Sequence, residues 1–191
     1  MRMMGWARPV AAALVLASAA CAGLGIAEDK PWQEFRMLGA DFAVSMPAQP
    51  EVNEDITEKD GSVRRNYGIE AGTMTYTVAY RTETVHGRKA MPLDHLLGSA
   101  SKELASRMKG TLHDERRFSL DGTEGLEFVL DVPASDKKAA HAVNGRIYVK
   151  HVGVGRYMKD VLYETLVTGT PGRVQGASVT RFLDSFHFIE G

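Results

Sequence analysis

The densest chemistry in this 191-residue chain is one run, His113-Asp114-Glu115. Each of the three side chains can bind a metal ion or carry a proton. On a strand, alternate side chains share a face, so His113 and Glu115 point one way and Asp114 the other. A neighbouring strand carrying His141 or His151 would complete a nitrogen and oxygen ligand set, or an acid–base pair for hydrolysis. His113, Glu115, His141 and His151 are therefore the candidates for a metal-binding or hydrolytic site. The same residues fit a solvated strand edge, and that reading is preferred. None of the six histidines (His86, His95, His113, His141, His151 and His187) pairs at the i, i+4 spacing of a helical metal site.

Other chemistries lack their residues. No glycine-rich turn ends in Lys-Ser or Lys-Thr, so a phosphate loop is missing. Gly153-Val154-Gly155 lacks the third glycine of a dinucleotide fingerprint and reads as a turn between strands. There is no Gly-x-Ser-x-Gly elbow, and Leu97-Gly98-Ser99-Ala100 falls inside a helical pattern. Met37, Met46, Met74, Met91, Met108 and Met158 are dispersed and read as core filler. Tyr76 and Tyr80 share a strand face, where they can line an aromatic groove for a sugar or peptide. Packing in the core is their preferred assignment. No catalytic residue and no cofactor are assigned.

The first 27 residues read as an export signal. Arg2 and Arg8 give a positive start, Val10 to Ala20 is apolar, and small residues lead to Gly25-Ile26-Ala27. The apolar run is about half of the ~20 residues a membrane-spanning helix needs. Cleavage after Ala27 would leave one domain, residues 28–191. Ser18-Ala19-Ala20-Cys21 offers a second route, resembling a lipobox in which Cys21 becomes the lipidated first residue. Ser18 stands where such boxes usually carry Leu, so the soluble form is preferred. The protein is expected to be exported, periplasmic or extracellular, with membrane attachment only through Cys21. Cys21 is the single cysteine, so a chain that loses it has no thiol chemistry and no disulfide.

Of 23 basic residues, Arg2 and Arg8 leave with the signal; the remaining 21 face 24 acidic ones, a net charge of −3. The basic pairs Arg64-Arg65, Arg88-Lys89, Arg116-Arg117 and Lys137-Lys138 are scattered, which argues against nucleic acid as a partner.

The elements that must position any site are mostly strands. Phe42, Val44 and Met46 alternate before Pro47 and Pro50. Glu51 to Gly61 is charged and aperiodic and reads as an exposed loop. Val63 to Ile69 and Met74 to Tyr80 form a hairpin about Glu70-Ala71-Gly72. Leu93, Leu96, Leu97, Ala100, Leu104 and Met108 make one stripe of a helix over Pro92 to Lys109, with Gly110 as its stop. Beyond the Asp121-Gly122 turn, Leu126, Phe128, Leu130 and Val132 alternate. Val143 to Val152 and Arg156 to Thr168 follow as strands, the second apolar on both faces through Val161, Leu162, Leu166 and Val167. Val179, Phe182, Leu183 and Phe186 mark a closing helix, with Phe188 and Ile189 as an apolar tail. The expected class is α+β: a mostly antiparallel sheet covered by helices.

Four segments carry a resemblance: Phe42-Ala43-Val44-Ser45-Met46-Pro47 with Pro50, Gly122-Thr123-Glu124-Gly125-Leu126-Glu127, Arg146-Ile147-Tyr148-Val149, and Arg181-Phe182-Leu183-Asp184-Ser185-Phe186. Together they resemble the PsbP-like or Mog1-like α/β/α sandwich, and more narrowly a class of small exported bacterial proteins built on that plan. The resemblance implies photosystem accessory, binding or adaptor roles and passes no catalytic motif to this chain. The leading expectation is a non-enzymatic envelope protein that binds another envelope protein or a small ligand. The alternatives are the metal-binding or hydrolytic protein above, and a lipid-anchored structural subunit of an envelope complex.

Overall fold

A computed structural model describes residues 31–37, 40–57, 62–85, 92–136, 138–154 and 157–189. The export signal, Cys21 with its two processing routes, and Gly155 lie outside the described residues, whereas Gly153 and Val154, expected in a turn, belong to a strand. In chain order the elements are β1 (Gln33–Arg36), β2 (Phe42–Met46), β3 (Glu51–Thr57), β4 (Val63–Ala71), β5 (Met74–Val85) and α1 (Leu93–Met108). There follow β6 (Thr111–Leu120), β7 (Thr123–Val132), β8 (His141–Val154), β9 (Tyr157–Gly169), α2 (Ala177–Ser185) and β10 (His187–Phe188).

Seven strands form one antiparallel sheet in the order β3-β4-β5-β9-β8-β7-β6. The order records the path of the chain. After the β3-β4-β5 meander, α1 carries the chain to the far edge, and β6 to β9 return by hairpins until β9 pairs with β5. The turns are those the sequence demands: Asp121 and Gly122 both take positive φ, 50° and 76°, between β6 and β7. A second sheet, β1-β2-β10, is also antiparallel.

Helix α1 buries its periodic stripe. Leu97, Ala100 and Leu104 pack on Leu126, Phe128, Leu130, Ile147, Leu162 and Leu166. It begins at Pro92, whose carbonyl accepts from the His95 and Leu96 N–H groups. Its end differs from the expectation. Lys109, not Gly110, takes the left-handed conformation, with φ 55°, and Gly110 N–H closes on the Ala105 carbonyl at 3.0 Å. Gly110 is needed for another reason: a Cβ there would lie 2.7 Å from Leu130 Cδ1 and 2.8 Å from the Asp131 carbonyl oxygen.

The opposite face of the large sheet meets β1, β2, β10 and α2 in an aromatic core. Phe42, Tyr76, Tyr148, Tyr163, Phe182 and Phe186 are its largest members. The four segments behind the family resemblance converge here. Arg146 Nε donates to Glu127 at 2.7 Å, its Nη2 reaches Asp184 at 2.8 Å, and its guanidinium lies over Phe118. Tyr148 stacks on Phe186, whose ring lies tilted against Phe42. Those motifs are therefore the joint between α2, the small sheet and the large sheet.

The expected α+β class, a sheet covered by helices as in an α/β/α sandwich, is corrected. Ten of the twelve described elements are strands, in two sheets, and the fold is β-rich. Much of the second face is closed by a small sheet instead of a helical layer, and α1 packs on only part of the first, mainly β6, β7 and β8. The expected loop at Glu51 to Gly61 is also corrected, because Glu51–Thr57 is the edge strand β3 paired with β4. Almost every residue of β3 is exposed, so its hydrogen bonds to β4 specify it without any apolar alternation.

Candidate ligand groove beside helix α1

The structure does not bring together the residues singled out for metal binding or hydrolysis. Strand β6 carries a bulge between His113 and Arg116, and Asp114 within it has φ 55°. A bulge shifts the face alternation by one residue. His113 accordingly turns to Asp131 on β7, with Nε2 3.0 Å from Oδ2, while Glu115 turns to α1 and accepts a hydrogen bond from Ser101 Oγ at 3.1 Å. The carboxylates of Asp114 and Asp131 raise the His113 pKa above the ordinary histidine value, the bond to Asp114 first. His141 Nδ1 donates to the Ala139 carbonyl. His151 stands ten residues further along β8, roughly 33 Å away at a strand rise of ~3.3 Å per residue, and pairs with Asp160 at 2.7 Å. Among the described residues, no three His, Cys, Asp or Glu side chains converge on a point that could hold a metal.

Tyr76 and Tyr80 do not form an aromatic groove together, and of the two Tyr80 alone borders the groove beside α1. They are 2% and 7% exposed, on the face of β5 that packs against the small sheet. The other face of β5, with those of β4 and β3, extends beyond the cover of α1. That incomplete cover makes a groove of about 450 Å³ between the helix and the open half of the sheet.

Five elements supply its polar groups. Glu54 on β3 faces Arg64 on β4 at 3.8 Å. Arg81 on β5 is clamped to Glu103 on α1 by two hydrogen bonds of 3.2 and 2.9 Å, and this holds the Glu103 carboxyl below its ordinary pKa. Arg107 extends from the next turn of the helix. The floor is β9, where Glu164 sits between Leu162 and Leu166 on the side facing α1, with Leu104 and Met108 above.

Glu164 is the unusual group. Its side chain is 14% exposed, and among the described residues its one ion-pair contact is Arg107 Nη2 at 3.9 Å, beyond hydrogen-bond reach. Burial raises its pKa above the ordinary carboxylate value; Arg107 and Arg81 oppose the shift and Glu103 adds to it. The near-burial of a carboxylate is unfavourable to folding. A residue kept against stability in a groove is a candidate for function.

The chain matches no protein-family model and no curated protein. The site therefore rests on its own geometry. The signal that would have found it lies in β9, which reads as apolar on both faces yet places a carboxylate between Leu162 and Leu166. Its importance is invisible until the strand is seen facing the edge of α1.

Proposed function

We propose that this chain is an exported, non-catalytic binding domain that holds a small ligand in the groove between α1 and the open half of the large sheet. One observation carries the reading: Glu164, nearly buried on the groove floor, lacks a donor within hydrogen-bond distance among the described residues. A group brought by a ligand would supply what the fold omits. The leader at residues 1–27 supports export, and the resemblance to a class containing binding and adaptor proteins agrees with a role in recognition. Among the described residues, no helix is long and apolar enough to cross a membrane.

The test is protein-observed NMR of the chain from Glu28 against a broad panel of small polar and charged compounds. Shifts confined to residues of β9, β5 and the second half of α1 support the reading. Shifts confined to other surfaces, or none from any compound, overturn it.

A stability measurement bears on the same residue. A carboxyl whose folded-state pKa is raised binds more protons in the folded than in the unfolded state, between the two pKa values. Its contribution is therefore favourable below the unfolded pKa and is lost as pH rises through the folded one. Glu164→Gln removes that loss. The variant is expected to melt higher than the wild type at neutral pH, by ~1 kcal/mol or ~2–4 °C for a domain of this size, and to converge with it in acid. Thermal melts across the acidic to neutral range check this; a destabilised Glu164→Gln at neutral pH contradicts it.

A further inference from the structure

We infer that the groove binds a zwitterionic α-amino acid with an aliphatic side chain, its ammonium on Glu164, its carboxylate on Arg107, and its side chain against Leu104, Met108, Leu162 and Leu166. This rests on the groove reading above and adds the class of ligand.

The ammonium follows from what surrounds Glu164. Two guanidiniums stand near, but Arg81 is bound bidentately by Glu103, and Arg107 stops 3.9 Å short. A compact group with several N–H donors reaches where a planar guanidinium on a helix edge does not. An anion without an ammonium would leave Glu164 on the groove floor without a donor. The carboxylate follows from Arg107, whose side chain is 60% exposed and held by no closer ion pair among the described residues. Turning it outward opens the space for the ammonium and brings its paired donors to a ligand carboxylate. An α-amino acid carries both charges on one carbon, matching a site where the two protein charges already lie side by side. The four apolar side chains, two from α1 and two from β9, leave one wall of the groove suited to an aliphatic chain.

The charged groups facing Glu164 set the pH behaviour. They are Glu103 and Arg107 from α1, Arg81 from β5, and beyond them Arg64 and Arg65 from β4 and Glu54 from β3. Arg81 holds the Glu103 carboxyl below its ordinary pKa while burial raises that of Glu164, so Glu164 is the group whose titration changes the floor. Amino-acid affinity should rise as Glu164 loses its proton.

The experiment titrates the chain from Glu28 with leucine, with isoamylamine, which lacks the carboxylate, and with isocaproate, which lacks the ammonium. Calorimetry gives affinity and NMR gives location. Leucine is expected to shift the resonances of Leu162 to Leu166 and Glu103 to Met108, and to bind more tightly as pH rises from the carboxylate range to neutrality. Glu164→Gln should weaken leucine ~10-fold or more and flatten the pH dependence. Arg107→Gln should weaken leucine while leaving isoamylamine unchanged. Isocaproate binding as tightly as leucine, or leucine indifferent to Glu164→Gln, overturns the amino-acid inference and leaves the groove reading standing. Groove resonances silent to all three probes also overturn it; the groove reading itself falls only if the broader panel is silent too.

Discussion

Leu104→Asp is expected to leave no folded protein. Leu104 is 2% exposed at the middle of the α1 stripe and belongs to the core shared with β7, β8 and β9. Truncating such a leucine to alanine costs about 2–5 kcal/mol through lost transfer energy and the cavity left behind. An aspartate adds a carboxylate among aliphatic side chains, which costs several kcal/mol more or forces protonation. Domains are typically stable by about 5–15 kcal/mol, so the sum consumes most or all of the folding free energy. Lys102, two residues earlier on the same helix, points to solvent, and Lys102→Ala should change stability by less than about 0.5 kcal/mol. Circular dichroism melts of the two variants decide the matter. A cooperative transition at the wild-type temperature for Leu104→Asp would sink the packing described for α1.

The second large effect is expected at Phe186, immediately after α2. Its ring stacks on Tyr148 at a centroid distance of 4.5 Å, lies against Phe42 at 5.1 Å, and meets the edge of Phe188 at 5.3 Å. It thus touches the large sheet, β2 and β10 at once, and is 1% exposed. Phe186→Ala should cost about 3–5 kcal/mol, because rigid aromatic neighbours on several sides cannot collapse into the space. At about 2–4 °C per kcal/mol, the melting temperature should fall by roughly 6–20 °C. Urea unfolding followed by fluorescence gives the free energy directly. A loss below about 1 kcal/mol would mean that the small sheet and α2 are not held through this contact.

Much of the local structure was legible because local patterns specify it. The 3.6-residue stripe located α1 within a residue at either end, and alternation located β2, β4, β5 and β7. Strand β3 was not legible: it is exposed on both faces, and what makes it a strand is the backbone of β4, whose partner residues lie 6 to 17 positions away. The division into two sheets was hidden for a similar reason, since β10 finds β2 across most of the chain. The bulge in β6 defeated the face assignment of His113 and Glu115, because a single residue with positive φ reverses alternation without altering composition.

The sequence by itself determined the helical stripe of α1, the alternating strands and the lack of a phosphate-loop, dinucleotide or nucleophile-elbow motif. Each depends on residue type and short-range spacing. Only the tertiary structure decided that Tyr76 and Tyr80 are core, that His113 and Glu115 part company, and that Glu54, Arg64, Arg81, Glu103, Arg107 and Glu164 gather along one groove. Those six residues come from five elements spread over most of the domain. Their meeting follows from α1 crossing to the far edge of the sheet and covering less than its full width. The width of a sheet against the reach of one helix is a property of long-range strand pairing, and no window of the sequence contains it.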